Sequence, residues 1–160
     1  MTDREALLYA IEPVLNAVRG VHIDDPNDAL RLLNYYYPPS GHALTELRKL
    51  VRAGVEAGWL CDREANGVRY SRLSKPTDLI TKPFSIDVVH MNDVVGPGHE
   101  HGLGEVDLCF PVSGEPLFDG RPPGWTVYPS GSWHEPTVTG GAMDILYFLP
   151  NGAIRFGPKA

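Results

Sequence analysis

Ten glycines and seven prolines fall between residues 96 and 141. That density forbids long helices there, because glycine is entropically costly inside a helix and proline removes a donor and clashes with the preceding turn. The runs between these breakers are short and strand-like: residues 105–110, 125–128, 145–149 and 153–156, preceded by a run over 84–91. Short strands separated by Gly/Pro turns predict an all-β sandwich or barrel.

The first part of the chain has a different composition. Residues 1–58 read as helical. Thr2-x-x-Glu5 has the form of a capping box, and Leu7, Ile11, Val14, Leu15 and Val18 recur at helical spacing. Pro13 interrupts that series and predicts a kink or a restart. Asp25-Pro26 offers an N-cap followed by proline at the first helical position. A third helix carries Leu44, Leu47, Leu50, Val51 and Val55 and ends near Gly58. Asn66-Gly67, flanked by β-prone segments, predicts a hairpin, because both central residues of a type I′ turn need positive φ. Residues 74–83 read as a linker. The expected organisation is a helical region with a hairpin over 1–75 and a β-barrel over 76–160.

The 42% hydrophobic content of the 160 residues suffices for an ordinary core. No apolar run approaches the roughly 20 residues that span a bilayer, and the N-terminus has no basic and apolar leader pattern. A cytoplasmic protein without a membrane partner is the expectation. Cys61 and Cys109 are the two cysteines, far apart, and a disulfide is not expected in a reducing compartment. The net charge of −6 argues against nucleic acid as a partner. Residues 1–75 carry ten basic and ten acidic side chains, and 76–160 carry four and ten, so the acidic excess lies in the second part.

One constellation there carries chemistry. His99-Glu100-His101 is followed by Glu105, and Pro129-Ser130-Gly131-Ser132-Trp133-His134 comes 29 residues after the glutamate. Residues i and i+2 of a strand share a face, so His99 and His101 can both point into a barrel. Glu105 then enters the facing strand after the Gly102-Leu103-Gly104 turn, and His134 arrives from a later strand. Three imidazoles and a carboxylate suit a divalent ion such as iron, manganese, nickel, copper or zinc. The absence of thiolates disfavours a structural zinc cage. Asp107 and Cys109 share the parity of Glu105. Asp107, Tyr128, Trp133 and His90 are candidates for contact with a bound aromatic molecule. For each there is a plainer role: Asp107 as a structural acid, Tyr128 and Trp133 as barrel core, His90 as a hydrogen-bonded barrel histidine.

The H-x-H-x3-E and P-x-G-x2-H segments resemble the two motifs of the cupin superfamily, which implies a jelly-roll barrel with all four ligand positions intact. Asp93 stands where the first motif usually has a glycine, and Val138 where the second usually has an asparagine. The resemblance extends over most of the chain. Leu47 to Gly54, Gly58-Trp59, Phe84 to Asp87, Met91 to Pro97, Pro136 to Gly141 and Leu149 to Ile154 are together similar to the bacterial 4-hydroxylaminobenzoate lyase family. That resemblance implies a carbon–nitrogen lyase in nitroaromatic breakdown, forming 3,4-dihydroxybenzoate and ammonia. It implies Glu105 and His101 as catalytic groups and His99, His101, Glu105 and His134 as metal ligands. A small aromatic substrate is the implied partner, and proteins of this barrel class suggest a homodimer, with Tyr35-Tyr36-Tyr37 at its interface or as a buried anchor. A substrate carboxylate needs a cation, for which Arg69, Arg72, Lys82, Arg121 and Arg155 are available.

Three rivals share these features. A ring-cleaving dioxygenase or an isomerase can use the same ligands, since fold does not fix function. A metal-free binding barrel needs none of them. A DNA-binding sensor would use the third helix and the hairpin as a winged-helix half, but residues 1–75 are net neutral.

Overall fold

The computed structural model describes all residues from 1 to 160. Three helices come first, α1 (Asp3–Arg19), α2 (Pro26–Tyr36) and α3 (His42–Ala57). Nine strands follow: β1 (Arg63–Ala65), β2 (Val68–Ser74), β3 (Phe84–Val95), β4 (His99–His101), β5 (Glu105–Phe118), β6 (Gly124–Tyr128), β7 (Ser132–His134), β8 (Thr137–Pro150) and β9 (Arg155–Phe156). They form a six-stranded sheet in the order β1-β2-β3-β8-β5-β6 and a three-stranded sheet in the order β7-β4-β9. All pairings are antiparallel. The result is a mainly β, cupin-type barrel with a helical layer on the outside of its larger sheet.

Thr2 and Glu5 close the expected capping box at the start of α1. Pro13 does not break that helix. Its ring faces solvent, where water can satisfy the carbonyl left without a partner, while Leu7, Ile11, Val14, Leu15 and Val18 stay buried along one face. Asp25 caps α2, accepting from the Asp28 amide at 3.3 Å. Tyr35 and Tyr36 of α2 stand exposed, and Tyr37 is partly buried against the core. The Tyr37 carbonyl accepts from Trp125 Nε1 at 2.9 Å, which ties α2 to β6.

The alternation of β3, β5 and β8 sorts their side chains into two cores. Ile86, Val88, Val106, Leu108, Leu146 and Phe148 point outward and pack with the helices. Val89, Met91, Cys109, Met143, Ile145 and Tyr147 point inward and fill the barrel. Arg52 of α3 reaches buried Asp144 of β8 at 3.3 Å, adding a charged tie between the layers. Cys61 and Cys109 are both buried and free. The compositional boundary at 75/76 is not a structural gap, since β2 pairs with β3 in the same sheet. No helix is long and apolar enough to cross a membrane.

The strands outrun their sequence expectation. β5 continues past Pro111, Gly114 and Pro116 to Phe118, and β8 begins at Thr137, well before the run at 145–149. Register shifts between Pro111 and Ser113 and between Gly114 and Leu117 absorb these breakers as bulges. Asp93 lies at a similar irregularity in β3 with φ 44°. It supplies the left-handed turn for which the motif usually has glycine, and its carboxylate accepts from the Gly140 amide at 2.6 Å.

Candidate metal centre

Strand pairing assembles the cluster. In the small sheet, His99 lies opposite His134 and His101 opposite Ser132. Glu105 comes from β5 in the large sheet, opposite Tyr128. The turn from β4 into β5 needs Gly104: it has φ 85°, and a Cβ there would lie 2.3 Å from Ile23 Cγ2 and 2.8 Å from the Tyr128 carbonyl. One ligand atom from each of His99, His101, Glu105 and His134 falls within 4.8 Å of the others. Glu105 Oε2 is 2.9 Å from His101 Nε2 and 3.7 Å from His134 Nε2, and Oε1 is 3.9 Å from His99 Nε2.

The outer nitrogens determine which way the inner ones face. His99 Nδ1 lies 3.1 Å from the Pro97 carbonyl. His101 Nδ1 lies 2.9 Å from Ser132 Oγ, whose own proton goes to the Pro129 carbonyl at 2.7 Å. His134 Nδ1 lies 2.6 Å from Asp119 Oδ2. All three outer partners accept, so each Nδ1 carries the proton and each Nε2 presents a lone pair to the centre. Two of those lone pairs, on His99 and His134, then face each other at 3.1 Å. His101 Nε2 and both Glu105 oxygens are buried without a conventional donor. Four inward acceptors with no donor between them fit a cation.

Without an ion, a proton takes part of that role. Burial opposes charge on His134, but hydrogen bonds to Asp119 and Glu105 outweigh it and push its pKa up to about 9. Burial also works against Glu105 as an anion, yet His101 and His134 hold it well below the usual carboxylate range. Burial is the main cause that lowers His99. Asp107, buried beside Glu105, is pushed well above the usual range by burial and then by the negative charge of Glu105. A divalent ion at Nε2 would displace the extra proton of His134, the usual coupling of metal binding to proton release.

Asp119 was not among the sequence candidates. It accepts from His134 Nδ1, from the Tyr128 hydroxyl and from the Thr137 amide at 2.8 Å. Its φ of 50°, in a Phe-Asp-Gly-Arg turn, is the trace it left in the sequence. Asp119→Ala is expected to lower metal affinity and activity about 10–100-fold, the usual cost of losing a ligand's orienting partner. Metal titration of the purified variant checks this, and wild-type affinity would contradict the orienting role.

The aromatic candidates separate by parity. Tyr128 faces inward, its ring 4.4 Å from that of His134 and 5.4 Å from that of His101. Arg121 donates to its hydroxyl at 2.9 Å. Tyr128 therefore packs against two histidines of the cluster. Trp133 lies between inward Ser132 and His134 and points away from the cluster. It packs on Gly98, where a Cβ would lie 2.4 Å from its ring, and donates to the Gly157 carbonyl at 2.8 Å. His90 lies one residue out of phase with Val89 and Met91. It is on the helix-covered face, 2.8 Å from Asp144. Neither Trp133 nor His90 reaches the metal cluster, because neighbouring residues of a strand point to opposite faces.

A cavity of about 710 Å³ opens beside the cluster. His99 and Tyr147 form part of its lining, with Val89, Met91, Ile154 and Phe156 among its apolar walls. Tyr147 is a second group the sequence candidates missed. Its hydroxyl is buried and has no partner. Strand register explains its place: Arg72 lies opposite Asp87, Asp87 opposite Tyr147, Tyr147 opposite Asp107, and Asp107 opposite Thr126. This polar row crosses the inner face of the large sheet from the mouth of the cavity toward Glu105.

A double-sheet antiparallel barrel with three histidines and a glutamate converging inside it defines a cupin-type protein whose centre can hold a metal ion. Residues 10–156 match the family model described as 4-hydroxylaminobenzoate lyase, and the chain belongs to that family. It is an enzyme of the lyase class. The 4-hydroxylaminobenzoate lyase of Nocardioides sp. (strain LMS-CY) is 33% identical over 165 residues, covering 98% of this chain and 96% of that one. The 4-hydroxylaminobenzoate lyase of Pseudomonas putida is 32% identical over 147 residues, covering 81% and 83%. Among solved structures, an RmlC-like cupin protein from Ralstonia eutropha JMP134 aligns with TM-score 0.43 at 14% identity, covering 59% of this chain and 62% of that one.

Proposed function

We propose that this chain converts 4-hydroxylaminobenzoate, or a closely related aromatic hydroxylamine, to 3,4-dihydroxybenzoate and ammonia, with a divalent ion held by His99, His101, Glu105 and His134. The observation that carries the metal-assisted reading is the inward convergence of three Nε2 lone pairs and a buried carboxylate beside an apolar cavity. The names of the two curated relatives support the substrate.

The reaction is redox-neutral and consumes one water overall. Departure of the hydroxylamine oxygen as water leaves an electron-poor ring. A second water adds at the carbon beside the nitrogen-bearing one. A third hydrolyses the resulting imine, releasing ammonia, and loss of the ring proton restores aromaticity. One water is released and two are taken up.

A bound divalent ion would supply Lewis acidity toward the hydroxylamine oxygen or toward an attacking water. The protein's own groups do the rest. Apolar walls at Val89, Met91, Ile154 and Phe156 hold the ring and exclude bulk water. Glu105 Oε1, free of conventional donors, accepts a hydrogen bond from the attacking water and orients it. Ser132, which accepts from His101 Nδ1 at 2.9 Å, keeps the His101 ring turned with Nε2 toward Glu105. Tyr147 turns its unpartnered hydroxyl to the hydroxylamino group.

Tyr147→Phe is expected to lower kcat about tenfold, the value of one hydrogen bond in a dry site. Metal content and thermal stability should not fall, because the lost hydroxyl has no partner in the protein. A fall in stability matching the fall in rate would mark a structural role instead. The function itself is tested by incubating metal-loaded protein with 4-hydroxylaminobenzoate and measuring ammonia and the catechol product. Oxygen uptake with the catechol, and no ammonia from the hydroxylamine, would favour a ring-cleaving dioxygenase.

A further inference from the structure

We propose that Arg63 is the group that binds the substrate's carboxylate and so sets the preference for benzoate-type hydroxylamines. This rests on the function proposed above and deepens it.

Three arginines line the cavity, Arg4, Arg63 and Arg72. Two of them are already engaged. Arg72 holds Asp87 through both oxygens, at 2.9 and 3.2 Å. Arg4 donates to the Leu73 carbonyl at 2.7 Å and lies 3.8 Å from Asp78. Arg63 makes no side-chain hydrogen bond and no ion pair. Asp62 and Asp87 are the aspartates of the lining. Arg72 is matched by Asp87 and Arg4 by Asp78, so Arg63 is the one guanidinium of the lining without an ion-pair partner.

Strand register aims it. The Asn66-Gly67 turn, with φ of 52° and 82°, fixes the β1–β2 hairpin so that Arg63 lies opposite Tyr70. Tyr70 lies opposite Val89, which lines the cavity, so Arg63 shares the inward face of the sheet. It sits two strands out from β3, roughly 10 Å across the sheet. His99 and Tyr147 are at the deeper part of the same cavity. A para-substituted ring has its two polar groups at opposite ends, so one end can reach Tyr147 and the metal centre while the other meets Arg63. A guanidinium takes a carboxylate through two parallel N–H···O bonds, which a neutral ring substituent cannot match.

The test compares wild type with Arg63→Gln on 4-hydroxylaminobenzoate and on N-phenylhydroxylamine, which lacks the carboxylate. The ratio of kcat/KM between the two substrates is expected to fall about 10–100-fold, mainly through KM for the benzoate, as expected for a lost charge-assisted pair. Arg63→Lys should recover part of it. An equal loss on both substrates, or an unchanged ratio, would overturn the assignment. A second arm uses 4-aminobenzoate and aniline as unreactive probes in calorimetric titrations. There the variant should lose the preference for 4-aminobenzoate that the wild type shows. This arm decides the role of Arg63 even if neither hydroxylamine releases ammonia, which would count against the proposed reaction alone. Wild type that binds neither probe, or binds both equally, would also overturn it.

Discussion

Replacing His101 by alanine is expected to abolish stable metal binding and to cut kcat/KM for ammonia release by at least about a thousandfold. The size follows from the several kcal/mol that a bound ion contributes to charge stabilisation, at about 1.4 kcal/mol per tenfold in rate. His101 is fully buried and is the histidine nearest Glu105, so its loss also leaves a buried carboxylate with one fewer partner. Metal content by elemental analysis and the rate of ammonia release are measured on the same preparation. A ligand that binds only the folded state stabilises it by about 4 kcal/mol at a thousandfold excess over Kd. Adding metal to stripped wild type should therefore raise Tm by roughly 8–16 °C at the usual 2–4 °C per kcal/mol for this size. The variant should show no such rise. A variant with normal activity and no metal would end the metal-assisted reading.

Replacing Phe148 by alanine is expected to cost about 3–5 kcal/mol, the range for a fully buried aromatic side chain. Phe148 is completely buried on the outer face of β8, its ring 6.4 Å from that of Trp125. It shares a core with Leu7, Ile11 and Leu15 of α1 and Leu47 and Val51 of α3. Against a typical domain stability of about 5–15 kcal/mol, the loss is a large fraction. Urea unfolding at fixed pH measures it. A change below about 1 kcal/mol would mean that the helices do not pack on this face.

The two substitutions probe the two faces of one sheet, and the faces differ in how far the sequence revealed them. The inward face carries the motif. His-x-His, the glutamate four residues on and the later P-x-G-x2-H turn are local patterns, and local alternation suffices to turn them inward. Helix α1 was equally plain, since its apolar spacing and capping box lie within one segment. Pro13 predicts a kink or a restart, and the helix continues through it without a restart, because its ring lies on the exposed side, which the sequence does not show.

Strand ends were the harder problem. Pro111, Gly114, Pro116, Gly140 and Gly141 read as stops, yet β5 and β8 run through them as paired, bulged ribbons. A bulge needs a partner strand to define it, and β5 and β8 are separated by β6 and β7 in the chain. Asp119 was missed for the same reason. Its three partners, His134, Tyr128 and Thr137, come together only when that ribbon folds over. For His90 and Trp133 the structure decides between the roles that the sequence leaves open. Each is close in sequence to inward residues but out of phase by one, so His90 bonds Asp144 on the helix-covered face and Trp133 bonds the Gly157 carbonyl.

By itself the sequence determined the cluster of three histidines and a glutamate, the barrel class and the helical start, because each depends on spacing within a few residues. Only the tertiary structure decided which acceptors orient the three imidazoles, which tyrosine hydroxyl is left without a partner, and which arginine is free at the cavity. Those are properties of pairings between strands far apart in the chain. An unsatisfied group or an uncommitted charge is defined by the whole set of its neighbours, and only the folded sheet supplies that set.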